Sequence, residues 1–143
     1  MDKDRRNFIK QSCGLCTSLL GIGMVLPALE ACSPLLTLKT NVTKGTIQLA
    51  KSNFTLENPI VIVRNEAQEF DIAVVKLDEN KFKAFEMQCT HQSNAIIPTK
   101  KGFFCNAHGS SFSFDGKVQK PPAQYNLKEY TTEETQELIT VRL

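Results

Sequence analysis

Both histidines of this 143-residue chain, and both cysteines downstream of Cys32, fall within one stretch, CTHQSNAIIPTKKGFFCNAHGSSF, residues 89 to 112. They form two clusters, Cys89-Thr90-His91 and Cys105-Asn106-Ala107-His108, with thirteen residues between His91 and Cys105. Two thiols and two imidazoles at loop spacing are a metal-ligand set, because each pair is close enough to grip one centre. The fold must therefore bring two loops to one place. Small zinc modules commonly group two cysteines in one cluster and two histidines in the other, whereas here each cluster mixes the two types.

The rest of the chain is read around that requirement. GTIQLA, PIVIVR, FDIAVVKL, KFKAFEMQ and the terminal LITVRL are short runs rich in Val, Ile and Phe, separated by Asn, Pro, Glu and Asp-Glu-Asn turn clusters. No long stripe at helical spacing interrupts them. The expected class is all-β: a small antiparallel sandwich or barrel over residues 45–143, preceded by a linker at 33–44 and an N-terminal segment at 1–32. Asp115-Gly116, between SFSF and KVQ, predicts a two-residue hairpin turn beside the second cluster. Pro121-Pro122 predicts a stiff loop after it. Ile96, Ile97 and Phe104 are expected to pack under the ligand loops, with Phe103 and Phe114 in the core.

The N-terminus reads as an address. A basic segment, MDKDRRNFIK, precedes an uncharged run from Gln11 to Leu29. Arg5-Arg6-Asn7-Phe8-Ile9-Lys10 resembles the twin-arginine export motif, whose pathway carries folded, cofactor-loaded proteins. Leu29-Glu30-Ala31-Cys32 resembles a lipoprotein processing site; an uncleaved anchor is the alternative, although the run is short for a span. The expected location is the periplasmic face of a bacterial inner membrane, tethered by lipid or anchor. Cys13-Gly14-Leu15-Cys16 lies inside the apolar run, without the strand-helix context of a redox pair, and reads as filler. From Ser33 onward, 13 basic side chains face 12 acidic ones, which offers no nucleic-acid partner.

The mixed clusters resemble the Rieske iron-sulfur proteins, whose pattern is C-x-H, a spacer, and C-x-x-H. The likeness continues through Ser110-Ser111-Phe112, Asp115-Gly116 and PPAQYNL, similar to the proline-containing loop that covers one side of the cluster in that family. It implies one [2Fe-2S] cluster per chain, with Cys89 and Cys105 on the inner, ferric iron and His91 and His108 on the outer, reducible one. Thiolates stabilise Fe(III), and neutral imidazoles leave the other iron electron-poor.

The resemblance also implies where this chain departs. Rieske proteins of cytochrome bc complexes carry an additional cysteine in each loop, forming a disulfide; those positions here are Asn94 and Ala107. Ser110 matches a serine that donates to a bridging sulfide, while Phe112 stands where high-potential members have a tyrosine. An intermediate potential is expected. The implied function is one-electron transfer as the iron-sulfur subunit of a quinol-oxidising complex, with a cytochrome b- or c-type redox partner. The alternatives are the small subunit of a periplasmic molybdenum oxidoreductase and a structural zinc-binding β domain. No nucleophile or nucleotide loop marks a catalytic site in the chain itself.

Overall fold

The computed structural model describes residues 35–143; the motif at residues 5–10, the Cys13/Cys16 pair and Cys32 lie outside the described residues. The runs richest in branched side chains make the centre of the fold. β3 (Ile60–Arg64), β4 (Ile72–Asp78) and β5 (Lys81–Glu86) pair antiparallel, Ile60 opposite Val75 and Ala73 opposite Phe85. Their apolar residues do not alternate with polar ones, because both faces are buried. Ile60, Ile62, Ala73, Val75 and Phe85 belong to one core cluster, and Val61, Val63, Ile72, Val74 and Ala84 to the other. Each such side chain, fully buried, contributes about 1.5–3 kcal/mol relative to exposure for the larger ones.

Around this centre runs a seven-stranded sheet in the order β1-β3-β4-β5-β10-β11-β2, with β1 at Leu36–Lys39, β2 at Thr46–Ala50, β10 at Glu129–Glu134 and β11 at Leu138–Arg142. β10 shares itself between neighbours: Glu129 and Tyr130 pair with β5, Thr131–Glu134 with β11. The mostly antiparallel sheet thereby curls into a half-barrel, and Ile47, Leu49, Ile139 and Val141 from β2 and β11 join the second core cluster. A smaller four-stranded sheet, β6 (Ile97–Thr99), β7 (Gly102–Phe104), β8 (Ser111–Phe112) and β9 (Val118–Lys120), packs on the first. The all-β expectation holds.

Three local expectations are corrected. The stretch 33–44 is not a bare linker: Leu36–Lys39 forms β1, parallel to β3 with Leu36 opposite Val61. As an edge strand it needs one hydrogen-bonded neighbour and little burial, so it carries no strong pattern. The Asp115-Gly116 hairpin forms, but with three residues in its loop. Ser113 N–H donates to Lys117 C=O at 2.9 Å, and Gly116, at φ 81°, closes a turn onto Ser113 C=O. Ser113 favours the longer loop, since its hydroxyl accepts from Lys117 N–H at 3.2 Å and donates to the Asp115 carboxylate. Finally, Ile96 is buried but Ile97 is 45% exposed, as strand alternation requires of neighbours; Phe103 is buried and Phe114 packs on the first core cluster, as expected.

Candidate metal centre

The two Cys/His clusters become two loops of the same construction. The first leaves β5, is bracketed by a bridge between Gln88 and Ala95, and closes where Cys89 N–H donates to Asn94 C=O at 2.8 Å. The second joins β7 to β8 and closes where Cys105 N–H donates to Ser110 C=O at 2.9 Å. In each case the cysteine reaches the carbonyl five residues on, so each ring turns its intervening N–H groups inward. Cys89 sulfur accepts from the N–H groups of His91 and Gln92, and Cys105 sulfur from those of Ala107 and His108. Gly109, at φ 81°, supplies the left-handed residue that the second loop needs.

The four expected ligands sort by type. Cys89 and Cys105 are free thiols, 3% and 1% exposed, and within hydrogen-bonding reach of one another. His91 and His108 are exposed and stack edge to face with ring centroids 4.9 Å apart. Burial opposes ionisation of Cys89, yet the His91 N–H, the Cys105 thiol, the Gln92 N–H and the Ser110 hydroxyl together hold it below the usual thiol range. Burial, and donation to Cys89, push Cys105 up. Two sulfurs biased in opposite directions thus lie side by side among apolar neighbours, Cys89 the more readily ionised. Among the described residues no three His, Cys, Asp or Glu side chains gather around one point as a single-ion site.

The Rieske [2Fe-2S] domain family matches residues 39–131, about two thirds of the chain. The chain belongs to this family. Its general work is Rieske-type one-electron transfer, on a [2Fe-2S]-binding fold. The solved cyanobacterial plasma membrane Rieske protein PetC3 from Synechocystis PCC 6803 is similar at 26% identity and TM-score 0.52, over 59% of this chain and 87% of that one. A complex of reduced oxygenase and oxidized ferredoxin in carbazole 1,9a-dioxygenase shares the fold, with 20% identity, TM-score 0.54, and 70% and 94% of the two chains covered. No curated protein matches the sequence.

A third loop completes the site of this Rieske domain. It runs from Pro121 to Asn126, between β9 and β10, and its Pro121–Pro122 peptide is cis. Ala123 N–H donates to Ser110 Oγ at 3.0 Å, and Thr90 Oγ1 donates to Tyr125 C=O at 2.5 Å. One loop is therefore tied to both ligand loops, each by a single side chain. Ser110 has no exposed surface; having accepted from Ala123, its hydroxyl still donates toward Cys89 sulfur. Phe112, also fully buried, sits in the core cluster that contains both cysteines. Sequence reasoning singled out Ser110 and Phe112 but missed Thr90, whose partner is 35 residues away.

Proposed function

We propose that Cys89, His91, Cys105 and His108 hold one Rieske [2Fe-2S] cluster, and that the chain is the one-electron carrier of a membrane-associated quinol-oxidising complex. The sorting of donors by burial carries the first part. A two-iron cluster takes two protein ligands per iron, and the described residues offer a buried thiol pair and an exposed imidazole pair. Bound there, the cluster supplies a one-electron couple, with thiolates favouring the ferric state on the inner iron and imidazoles favouring reduction of the outer one. The chain does the rest. Four backbone N–H groups and the Ser110 hydroxyl point at the cysteine sulfurs, where they stabilise negative charge. His91 and His108 stand at the surface, where an imidazole nitrogen can accept a hydrogen bond and a proton from a quinol hydroxyl.

The membrane and quinol parts rest on the twin-arginine-like residues 5–10, the lipoprotein-like Cys32 and the likeness to a plasma membrane Rieske protein. Asn94 and Ala107, in place of paired cysteines, keep a second reading in view: the small subunit of a periplasmic molybdenum oxidoreductase, for which the same export motif is suited. Protein purified anaerobically from native membranes decides between them. Co-purifying cytochrome b and reduction by a quinol are the expected result; a molybdopterin subunit in their place establishes the second reading. The cluster itself is tested by colour. Visible absorption when oxidised and a rhombic EPR signal when reduced are expected, both lost in Cys105→Ser, whereas a colourless zinc-loaded protein overturns the assignment.

A further inference from the structure

Cys89 and Cys105 are the only cysteines among the described residues, and both are free. The fold makes them neighbours through contacts of its own side chains and backbone. Each opens a ring closed by its own N–H, on Asn94 C=O in the first loop and on Ser110 C=O in the second. Both side chains enter the first core cluster beside Ile96, Phe103 and Phe112, and Ser110 Oγ, accepting from Ala123 N–H, ties the second loop to the third. The two thiols consequently lie within hydrogen-bonding reach of one another, with no other cysteine in that core cluster. Two thiols so placed can also join.

A disulfide needs its sulfurs about 2.05 Å apart, so the pair has to close from hydrogen-bonding distance. The fifteen residues between them, 90–104, leave room for that movement. Because both cysteines belong to one folded chain, each meets the other at an effective concentration on the order of millimolar or above. Access is the remaining condition. At 3% and 1% exposure neither sulfur meets an oxidant while the loops are ordered, and loosening of the loops on loss of iron is what admits one.

We propose that, in chains without a cluster, Cys89 and Cys105 form an intrachain disulfide that removes both inner ligands and bars loading until it is reduced. The proposal rests on the Rieske reading of the site, since bond and cluster compete for the same two sulfurs. The oxidant is a small disulfide such as glutathione disulfide. One cysteine thiolate attacks it, forming a mixed disulfide and releasing one glutathione as its thiol; the second cysteine then attacks the protein-bound sulfur and releases the other glutathione. The two cysteine thiols lose two electrons and two protons, and the glutathione disulfide gains both. An oxidising compartment drives this step and a reducing one reverses it. Loading then has to precede export, the order that suits the twin-arginine-like residues 5–10.

The test uses the full-length chain, isolated with its cluster, stripped of iron by acid and chelator under dithiothreitol, and desalted into glutathione disulfide. Trypsin cuts after Lys83, Lys100, Lys101 and Lys117, so Cys89 falls in peptide 84–100 and Cys105 in peptide 102–117, while Cys13, Cys16 and Cys32 fall elsewhere. After alkylation without reductant, mass spectrometry is expected to find these two peptides joined, two hydrogen atoms lighter than their sum. They should join at least about tenfold faster than in the loaded protein, whose sulfurs are less accessible. Cys105→Ser is expected to stop at a glutathione adduct on Cys89. Oxidised apoprotein given ferrous iron and sulfide should stay colourless, and regain its visible absorption when dithiothreitol is added first. Peptides recovered apart, or joined instead to Cys13, Cys16 or Cys32, overturn the proposal, as does loading without reductant. A protein colourless as first isolated fails earlier, at the Rieske reading, and removes both; a coloured one whose apoprotein never joins the pair fails only here.

Discussion

On the proposed cluster, Ser110 and Phe112 are the two side chains expected to set how strongly the cysteine sulfurs are stabilised when an electron arrives. Ser110 Oγ accepts the Ala123 N–H while its hydroxyl donates toward Cys89, so it is used twice. Ser110→Ala is expected to lower the reduction potential, read by redox titration. It also leaves a buried N–H without an acceptor, at a cost of about 1–3 kcal/mol in thermal unfolding. Phe112 is the converse case: it sits among the same side chains without a hydroxyl. Phe112→Tyr is expected to titrate at a higher potential than the parent, and an unchanged or lower value would place the missing donor elsewhere. The candidate ligands stood out at this scale because the chain has no spare histidine to confuse them. Thr90 was not, since nothing local marks a hydroxyl whose acceptor is supplied by a distant loop.

Among the elements, strands with both faces buried were the easy ones, and β10 was the hard one. Of EYTTEE only Tyr130 is buried, so neither alternation nor an apolar run announced a strand; its pairing with both β5 and β11 defines it. The small sheet shows how much a single position can hold. Gly102 starts β7 at φ 137°, and a Cβ there would collide with the backbone carbonyl of Phe112 in β8. A backbone atom in a paired strand cannot step aside as a side chain can. Gly102→Ala is expected to destabilise the protein by at least about 1–3 kcal/mol, the range for a strained backbone. Because β7 leads straight into Cys105, the loss of visible absorption on heating should move down together with the unfolding seen by circular dichroism; an unchanged midpoint for both would contradict the packing at this glycine.

Across the whole molecule the two core clusters have different dependences on the ligand loops. The first contains Cys89, Ile96, Phe103, Cys105, Phe112 and Ala123; the second draws nothing from residues 89–127. Without iron, the loops keep their local backbone hydrogen bonds, their packing on the first core cluster and the ties from Thr90 and Ser110 to the third loop, with no disulfide between them while the thiols stay reduced. Removing the metal is expected to raise amide hydrogen exchange across residues 89–112 and 121–126 while β2, β4 and β11 stay protected. Equal protection in both regions, with and without iron, would show that the loops are held by packing alone. By itself the sequence determined the candidate ligands, the β class and the place, though not the length, of the turn before the proline loop, because scarce ligands, branched side chains and an Asp-Gly pair act through local chemistry. Tertiary structure alone decided which donors are buried and which loop ties the other two together, because each of those depends on residues that meet only after the chain has folded.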